Sequence, residues 1–221
     1  MTRDGPAIAA YWSHRAASEA RAATLFERLL VDLRRAGAED VVLELAERAI
    51  ADEHRHAATC LEVVAHYDPL AVARDHEPPA SPEAHVEEEP ELRAALHTAA
   101  FCCIQESIAC AWLDGCLRRA KESVVLEALH AMLSDETHHA RLGWAHMASS
   151  RVSPATRGHV AAALPDLIRS CIASWVDPEV SRLAIDAPEH GVPHPDATRR
   201  LVLAAMDEVV RPGFASLGMA E

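Results

Sequence analysis

Two segments of the chain carry the same pattern of acidic and histidine residues. Residues 52–57 read Asp-Glu-His-Arg-His-Ala and residues 135–140 read Asp-Glu-Thr-His-His-Ala. Each segment contains Glu-x-x-His, which on a helix places a carboxylate and an imidazole on one face, about one turn apart. Two such groups can reach the same metal ion, so the pattern indicates metal binding. The pairs are Glu53 with His56 and Glu136 with His139.

Helical phase separates these two pairs from a third Glu-x-x-His, formed by Glu127 and His130. The chain holds 14 His and 34 Asp plus Glu, so single pairs of this spacing arise by chance. Steps of three and four residues from Glu136 meet an apolar stripe, and the residues in phase with Glu53 are apolar as well. Glu127 falls on the opposite, more polar face. We therefore expect the first two pairs to face the core and the third to face solvent.

A dinuclear metal site also needs a carboxylate from each of the two partner helices. Glu106 is the one acid within the apolar pattern of residues 99–113. Glu19 lies on the apolar stripe of its own helix, whereas Glu27 shares a face with Ala20, Val31 and Arg34. Residues 19 and 53 lie about equally far from a turn near residue 37, and residues 106 and 136 from a turn near residue 121. The two residues of each pair are therefore expected to lie at the same height along the two helices of their hairpin.

Together these residues supply four carboxylates and two imidazoles, the ligand types of a dinuclear iron or manganese site. The set is Glu19, Glu53, His56, Glu106, Glu136 and His139. A single inward pair is more often a hydrogen-bonded core pair. Burying several carboxylates together without a cation, however, would cost several kcal/mol each.

Five neighbouring residues have open roles. Asp52 and Asp135 either hold the imidazoles or are exposed polar residues. His146 is a candidate extra ligand, or else a histidine at the edge of the core. Cys60 and Cys110 are expected to line the metal pocket, and a substrate cavity is expected beside them, where Ala16, Ala23, Ala99 and Ala109 leave space.

The elements that must position these residues are long helices. Apolar periodicity predicts helices at 7–36, 41–65, 91–119 and 123–150, with a crossover at 68–90 that holds five of the thirteen prolines. Residues 1–150 thus form one four-helix bundle. Residues 151–221 form a helical extension packed on the bundle, with a fifth helix broken or offset at Pro165 and a last helix at 196–210.

Composition agrees with an all-α protein, because aromatic residues make up 4% of the chain and Gly numbers eight. A net charge of -13 disfavours nucleic acid and anionic lipid surfaces. The six Cys form no Cys-x-x-Cys pair and lie in helical patterns, which favours a reducing cytoplasm. We expect a cytoplasmic protein with neither an export signal nor a membrane anchor.

Over residues 7–150 the ligand set resembles that of the ferritin-like di-iron carboxylate proteins, which include bacterioferritin, rubrerythrin, and oxygenase and ribonucleotide reductase subunits. The resemblance implies an up-down-down-up four-helix bundle that holds two iron ions, or two manganese ions. It implies Glu53 with Glu136, or Glu19 with Glu106, as bridging and terminal ligands. His56 and His139 would bind one metal each, with O₂ or peroxide as co-substrate.

The chain also departs from that family in ways that narrow the function. Tyr67 lies fourteen residues from Glu53, which disfavours a tyrosyl-radical subunit, and no rubredoxin-type Cys-x-x-Cys follows the bundle. Electrons would come from a separate protein or from the substrate. Cys110 stands where hydroxylating relatives often carry Thr.

The expected function is a di-iron oxidoreductase that oxidises or hydroxylates a small organic substrate, with a homodimer as one assembly. The alternatives are a ferroxidase or iron-storage protein, for which iron is the substrate, and a metal-free helical scaffold that binds a protein partner. Manganese catalase activity is a lesser variant.

Overall fold

The computed structural model describes residues 4–71, 88–176 and 185–219, and most of these residues are helical. Within the described ranges no strand forms, although a single β-bridge joins Ala187 to Val192. The all-α fold predicted from composition is therefore confirmed. The helices are α1 (Gly5–Arg35), α2 (Asp40–Tyr67), α3 (Pro90–Leu117), α4 (Ser123–Ala148), α5 (Pro154–Trp175) and α6 (residues 195–216).

The turn between α1 and α2 follows from its local sequence. Pro6 stands in the first turn of α1, where its fixed φ suits a helix and its missing N–H is not needed. After α1, Gly37 adopts a φ of 68°, a left-handed conformation that glycine takes without strain. Asp40 then opens α2, where a negative charge favours the helix N-terminus. Both helices end within two residues of the predicted bounds.

Helices α1 to α4 pack in a closed ring, in which α1 contacts α2, α2 contacts α4, α4 contacts α3, and α3 contacts α1. Phe26 lies 4.6 Å from Phe101 between ring centroids, and Arg15 lies over Trp112, so α1 and α3 run antiparallel. Short turns make α1–α2 and α3–α4 antiparallel too. α1 and α4 therefore point one way, and α2 and α3 the other. Most of the predicted crossover, residues 72–87, lies outside the described residues.

Two apolar clusters fill the ends of this ring. Trp12, Trp112 and Val125 belong to one cluster, and Leu33 and Val42 belong to the other. The residues between the two clusters along each helix include the predicted ligands. The apolar ends thus fix the four helices in place around a polar centre.

Helix α3 differs from its prediction in one respect. Residues Ala99–Gln105 are π-helical, while Pro90–Thr98 and Glu106–Leu117 are α-helical. Single π turns inside α-helices frequently mark functional sites, because the extra residue per turn re-aims the side chains that follow. Here the residue that follows is Glu106.

Residues 151–176 and 185–219 pack on the outside of α3 through α5 and α6, and an apolar cluster that includes Ile108, Ile168 and Phe214 lies between them. The predicted break at Pro165 is wrong. α5 continues through this residue because Pro165 is exposed, so the backbone carbonyl that loses its partner can bind water.

The predicted end of the last helix is also wrong. α6 passes residue 210 through a π-helical segment, Met206–Val210, and then an α-helical segment, Arg211–Ser216. The proline at residue 212 stands in the first turn of that second segment, a position that tolerates it.

Helix α3 is the only described helix that is long and apolar enough to cross a membrane by length and composition. Of its most apolar window, 67% is buried inside the protein. This burial is typical of the core helix of a soluble protein.

Candidate metal centre

The six predicted ligands all lie buried at the centre of the ring formed by α1 to α4. They form two overlapping groups of four, and within each group one ligand atom per residue lies within 4.8 Å of the others. The first group is Glu19, Glu53, His56 and Glu136, and the second is Glu53, Glu106, Glu136 and His139. Each group could hold a metal ion. Glu53 and Glu136 belong to both groups, so the two groups share these two carboxylates.

Burial confirms the predictions from helical phase about which acidic residues face the core and which face solvent. Glu19 is 6% exposed, whereas Glu27 is exposed to solvent. Glu127 and His130, the third Glu-x-x-His, are both exposed. His146 is buried but belongs to neither group.

Both imidazoles turn Nδ1 toward the shared carboxylates. His139 Nδ1 lies 3.1 Å from Glu53 Oε1 and 3.1 Å from Glu136 Oε2. His56 Nδ1 lies 3.5 Å from Glu53 Oε2 and 3.6 Å from Glu136 Oε1. Nδ1 is therefore the nitrogen that each imidazole offers to the centre.

The opposite ring nitrogens are held by aspartates, and the pairing is crosswise. His56 Nε2 on α2 lies 3.2 Å from Asp135 Oδ2 on α4, and His139 Nε2 on α4 lies 3.4 Å from Asp52 Oδ2 on α2. The structure thus shows that the two aspartates hold the imidazoles and are not exposed polar residues. An imidazole that donates its outer N–H to a carboxylate has its ring orientation and tautomer fixed, as is common for metal-binding histidines.

An arginine on α2 in turn joins the two aspartates. Arg55 Nη2 donates to Asp52 at 2.6 Å and to Asp135 at 2.8 Å. Arg48 lies 3.5 Å from Asp52, and 3.8 Å from Asp135. The negative charges of the two aspartates are thus partly balanced by arginines on the outer side of the imidazoles.

Electrostatics of the metal-free centre favour bound protons. Burial raises the pKa of Glu19 to about 8, and burial together with the charge of Glu136 raises the pKa of Glu106 well above its usual range. Burial lowers the pKa of His56 and His139, but their carboxylate neighbours outweigh burial and raise these pKa values to about 9 and about 10. For Glu136 burial opposes ionisation, yet its contact with His139 lowers the pKa to about 2.

Unpaired atoms at the centre match what a cation would satisfy. Both carboxylate oxygens of Glu53 and His56 Nδ1 are buried and make no well-aligned hydrogen bond among the described residues, although imidazole Nδ1 atoms lie 3.1 Å and 3.5 Å from the two Glu53 oxygens. Buried polar atoms are normally paired, and each unpaired one costs free energy. Carboxylate oxygens and imidazole nitrogens are ligands for divalent iron and manganese, so the donor set fits such ions.

A cavity of about 570 Å³ opens onto this centre between α1 and α3. The four carboxylates of the set lie on its wall, together with aromatic side chains that include Phe101 and Trp112. The rest of its wall comes from the end of α5 and from residues 193–199 at the start of α6, including Trp175, Pro193 and Arg199. These residues of the extension thus complete the cavity.

The predicted position of the cavity is wrong in part. Neither Cys60 nor Cys110 lines it, and Ala109 is the one predicted small residue among the described lining residues. Cys60 is fully buried in the apolar cluster at the Trp12 end, although it still lies near Glu19. Cys110 is half-buried and faces Thr137 and Glu136 on α4. The space lies instead where α1 and α3 separate toward α5.

Sequence reasoning missed the residues that join α3 to α5 beside the cavity. Gln105, the last π-helical residue, donates from Nε2 to Ser174 Oγ at 3.0 Å and accepts a hydrogen bond from Trp175 Nε1 at 2.5 Å. It also missed Arg15, which lies one turn before Glu19 and binds it at 3.0 Å. The i, i+4 spacing from Glu19 was the one available signal for Arg15.

Comparison with protein-family models, curated proteins and solved structures finds no match to this chain.

Proposed function

We propose that residues 1–150 form a ferritin-like four-helix bundle that holds two iron ions, or two manganese ions, at the centre described above. The observation that carries the proposal is the overlap of the two ligand groups at Glu53 and Glu136. A site for one ion needs only one such group. Two groups that share two carboxylates suit a pair of ions bridged by those carboxylates, with Glu19 and Glu106 as terminal ligands.

We further propose that the protein is an oxidoreductase acting on a small organic substrate. Two bound iron or manganese ions supply electron-transfer chemistry toward O₂ or peroxide. The protein residues hold the ligands in place, because Asp52 and Asp135 orient the imidazoles and Arg55 ties the two aspartates together. The metal ligands are the only catalytic groups in this proposal.

The cavity favours an organic substrate over iron storage. Its aromatic and proline side chains, including Phe101, Trp112 and Pro193, offer apolar contact to an organic molecule. No Cys-x-x-Cys exists in the chain, so electrons come from a separate donor protein or from the substrate. We propose a cytoplasmic location and no nucleic-acid partner, and the homodimer stays a prediction.

The test is metal analysis of the purified protein, followed by anaerobic titration with ferrous iron and exposure to air. Two metal ions per chain and oxygen uptake without a mineral core would support the proposal. Iron far above two per chain after air exposure would support storage instead. Protein that binds no metal would support the scaffold alternative.

The chain supplies a matched control for this test. His139→Ala removes a proposed ligand, and His130→Ala removes the histidine of the exposed Glu-x-x-His on the same helix. We expect His139→Ala to lower metal content while His130→Ala keeps two ions per chain. Equal metal content in both variants would contradict the assignment of the centre.

A further inference from the structure

The cavity wall contains an arginine that the proposed metal centre does not use. Arg15 lines the cavity, and its side chain is 11% exposed. Its guanidinium carbon lies 4.3 Å from the ring centroid of Trp112, and its Nη2 lies 3.0 Å from Glu19 Oε1. Glu19 is thus its one carboxylate partner among the described ion pairs.

Arg15 has more donors than this partner uses. A guanidinium carries five N–H groups, and Arg15 Nε is buried without a hydrogen-bond partner. A charge that is removed from water normally has an anion or several acceptors beside it. Once Glu19 binds a metal ion, its charge is shared with that ion, so the need of Arg15 for an anionic partner increases.

The remaining charged residues of the cavity wall have a net positive charge. Four carboxylates bring four negative charges, which two divalent ions balance. Apart from a histidine, the other charged residues of the wall are Arg15, Arg21, Arg199 and Asp196. Their net charge is +2. With two divalent ions bound, the cavity would thus be a positive region in a chain that carries a net charge of -13.

We propose that the cavity binds an organic carboxylate, whose anionic group pairs with Arg15 and whose apolar part lies against Trp112 and Phe101. This inference rests on the proposed function and names its substrate class. A guanidinium fork matches the two oxygens of a carboxylate, and the aromatic walls match a ring or short alkyl chain. A cavity of about 570 Å³ accommodates a molecule of that size.

The ion pair of Arg15 with Glu19 brings the two groups together. Arg15 Nη2 lies 3.0 Å from Glu19 Oε1, so a carboxylate held by Arg15 would lie beside the ion that Glu19 would hold.

Binding, rather than turnover, tests this inference. Phenylacetate and its neutral analogue 2-phenylacetamide are titrated by calorimetry, without oxygen, into protein loaded with ferrous iron. We expect phenylacetate to bind at least tenfold more tightly. Equal affinity, or tighter binding of the amide, would overturn the inference.

Variants at Arg15 locate the anion. Arg15→Gln should reduce the preference for phenylacetate to below threefold, while Arg15→Lys, which keeps the charge, should retain part of it. Arg169→Gln is the control, because Arg169 is exposed on α5 and pairs with Asp166. A full preference in Arg15→Gln would show that the carboxylate binds the metals directly, and would overturn the role of Arg15.

Metal content measured on the same samples separates the two proposals. Two ions per chain with no preference for the carboxylate would overturn this inference alone. A wild-type protein without metal would overturn the proposed function, and with it the inference. If Arg15→Gln does not fold, Arg15→Lys takes its place, and an unchanged preference for phenylacetate in that variant would overturn the role of the guanidinium.

Discussion

Metal loading at neutral pH should release several protons from the centre. Metals bind carboxylates and neutral imidazoles, so any proton that the metal-free centre holds must leave when the ions enter. Four groups keep their protons at pH 7. Glu19 has a pKa of about 8, His56 of about 9 and His139 of about 10, and burial raises the pKa of Glu106 well above its usual range. Glu136, with a pKa of about 2, is already ionised.

The size of the effect follows from this count. Loading both ions at pH 7 should release about four protons per chain, one from each of these groups. Metal affinity should therefore increase with pH until about pH 10, where His139 loses its proton.

The four groups bind more protons in the folded metal-free chain than in the unfolded chain. That stabilisation is lost as the pH rises through their raised pKa values. The difference in Tm between loaded and metal-free protein should thus widen from pH 7 toward pH 10.

Calorimetry with Mn²⁺ measures the release directly, because Mn²⁺ is not oxidised during the titration. The titration is repeated at pH 7 in two buffers of different ionisation enthalpy, and the difference in heat gives the number of protons released. Release of fewer than two protons per chain, or an affinity independent of pH, would refute the reasoning about the charge state of the centre.

Three further predictions concern positions around the centre. His146 is 1% exposed and burial lowers its pKa to about 4 from an ordinary 6.5, so the unfolded chain binds more protons between these values. Stability should therefore fall by roughly 3 kcal/mol as the pH drops from 6.5 to 4, and His146→Leu should remove this dependence. Asp135→Ala should weaken metal binding by about 10- to 100-fold, since it frees the His56 ring. Gly143→Ala should destabilise by about 1–3 kcal/mol, because its Cβ would lie 2.6 Å from Cys102 Cβ.

Each of these has a measurement that can contradict it. Urea unfolding at several pH values tests His146, and an unchanged pH dependence in His146→Leu would exclude that histidine as the cause. A competition titration with a metal chelator tests Asp135, and wild-type affinity in Asp135→Ala would remove its orienting role. Gly158→Ala is the control for Gly143, because nothing lies within 4 Å of a Cβ there and the helix should gain about 0.5–1 kcal/mol. Equal stability of the two alanine variants would contradict the close packing of α3 on α4.

Helical periodicity was sufficient to bring the six predicted ligands together. Side chains three and four residues apart share a face, so the phase of the apolar residues determines which acids point inward. That rule predicts that Glu19 and Glu136 point inward and that Glu27 and Glu127 point outward. Glu19 and Glu53 lie about equally far from one turn, and Glu106 and Glu136 equally far from the other, which predicts that the two residues of each pair lie at the same height along the bundle. A short turn leaves the two helices little freedom to slide past each other.

The crosswise aspartates and the cavity depend on contacts between helices that periodicity does not describe. Asp52 precedes Glu53 and lies near the edge of the inward face, so phase alone left it either exposed or paired. Its contact with His139 depends on the side-to-side placement of α2 and α4. The cavity depends on where α1 separates from α3, and on the docking of α5, neither of which has a periodic signal.

Two helical irregularities had no recognisable signal in the sequence. The π-helical segment before Glu106 is apolar, Ala-Ala-Phe-Cys-Cys-Ile-Gln, and reads as ordinary α-helix. Pro165 reads as a helix break, but an exposed proline within a helix that is packed on its other side is tolerated. In both cases packing against neighbouring helices outweighs local propensity.

The distance between two bound metal ions tests the account most directly. Crystals of iron-loaded protein, measured with anomalous scattering at the iron edge, should show two ions about 3.5 to 4 Å apart. One should lie against Glu19 and His56 and the other against Glu106 and His139, with Glu53 and Glu136 between them. A single ion, two ions far apart, or iron bound elsewhere on the chain would contradict the dinuclear centre.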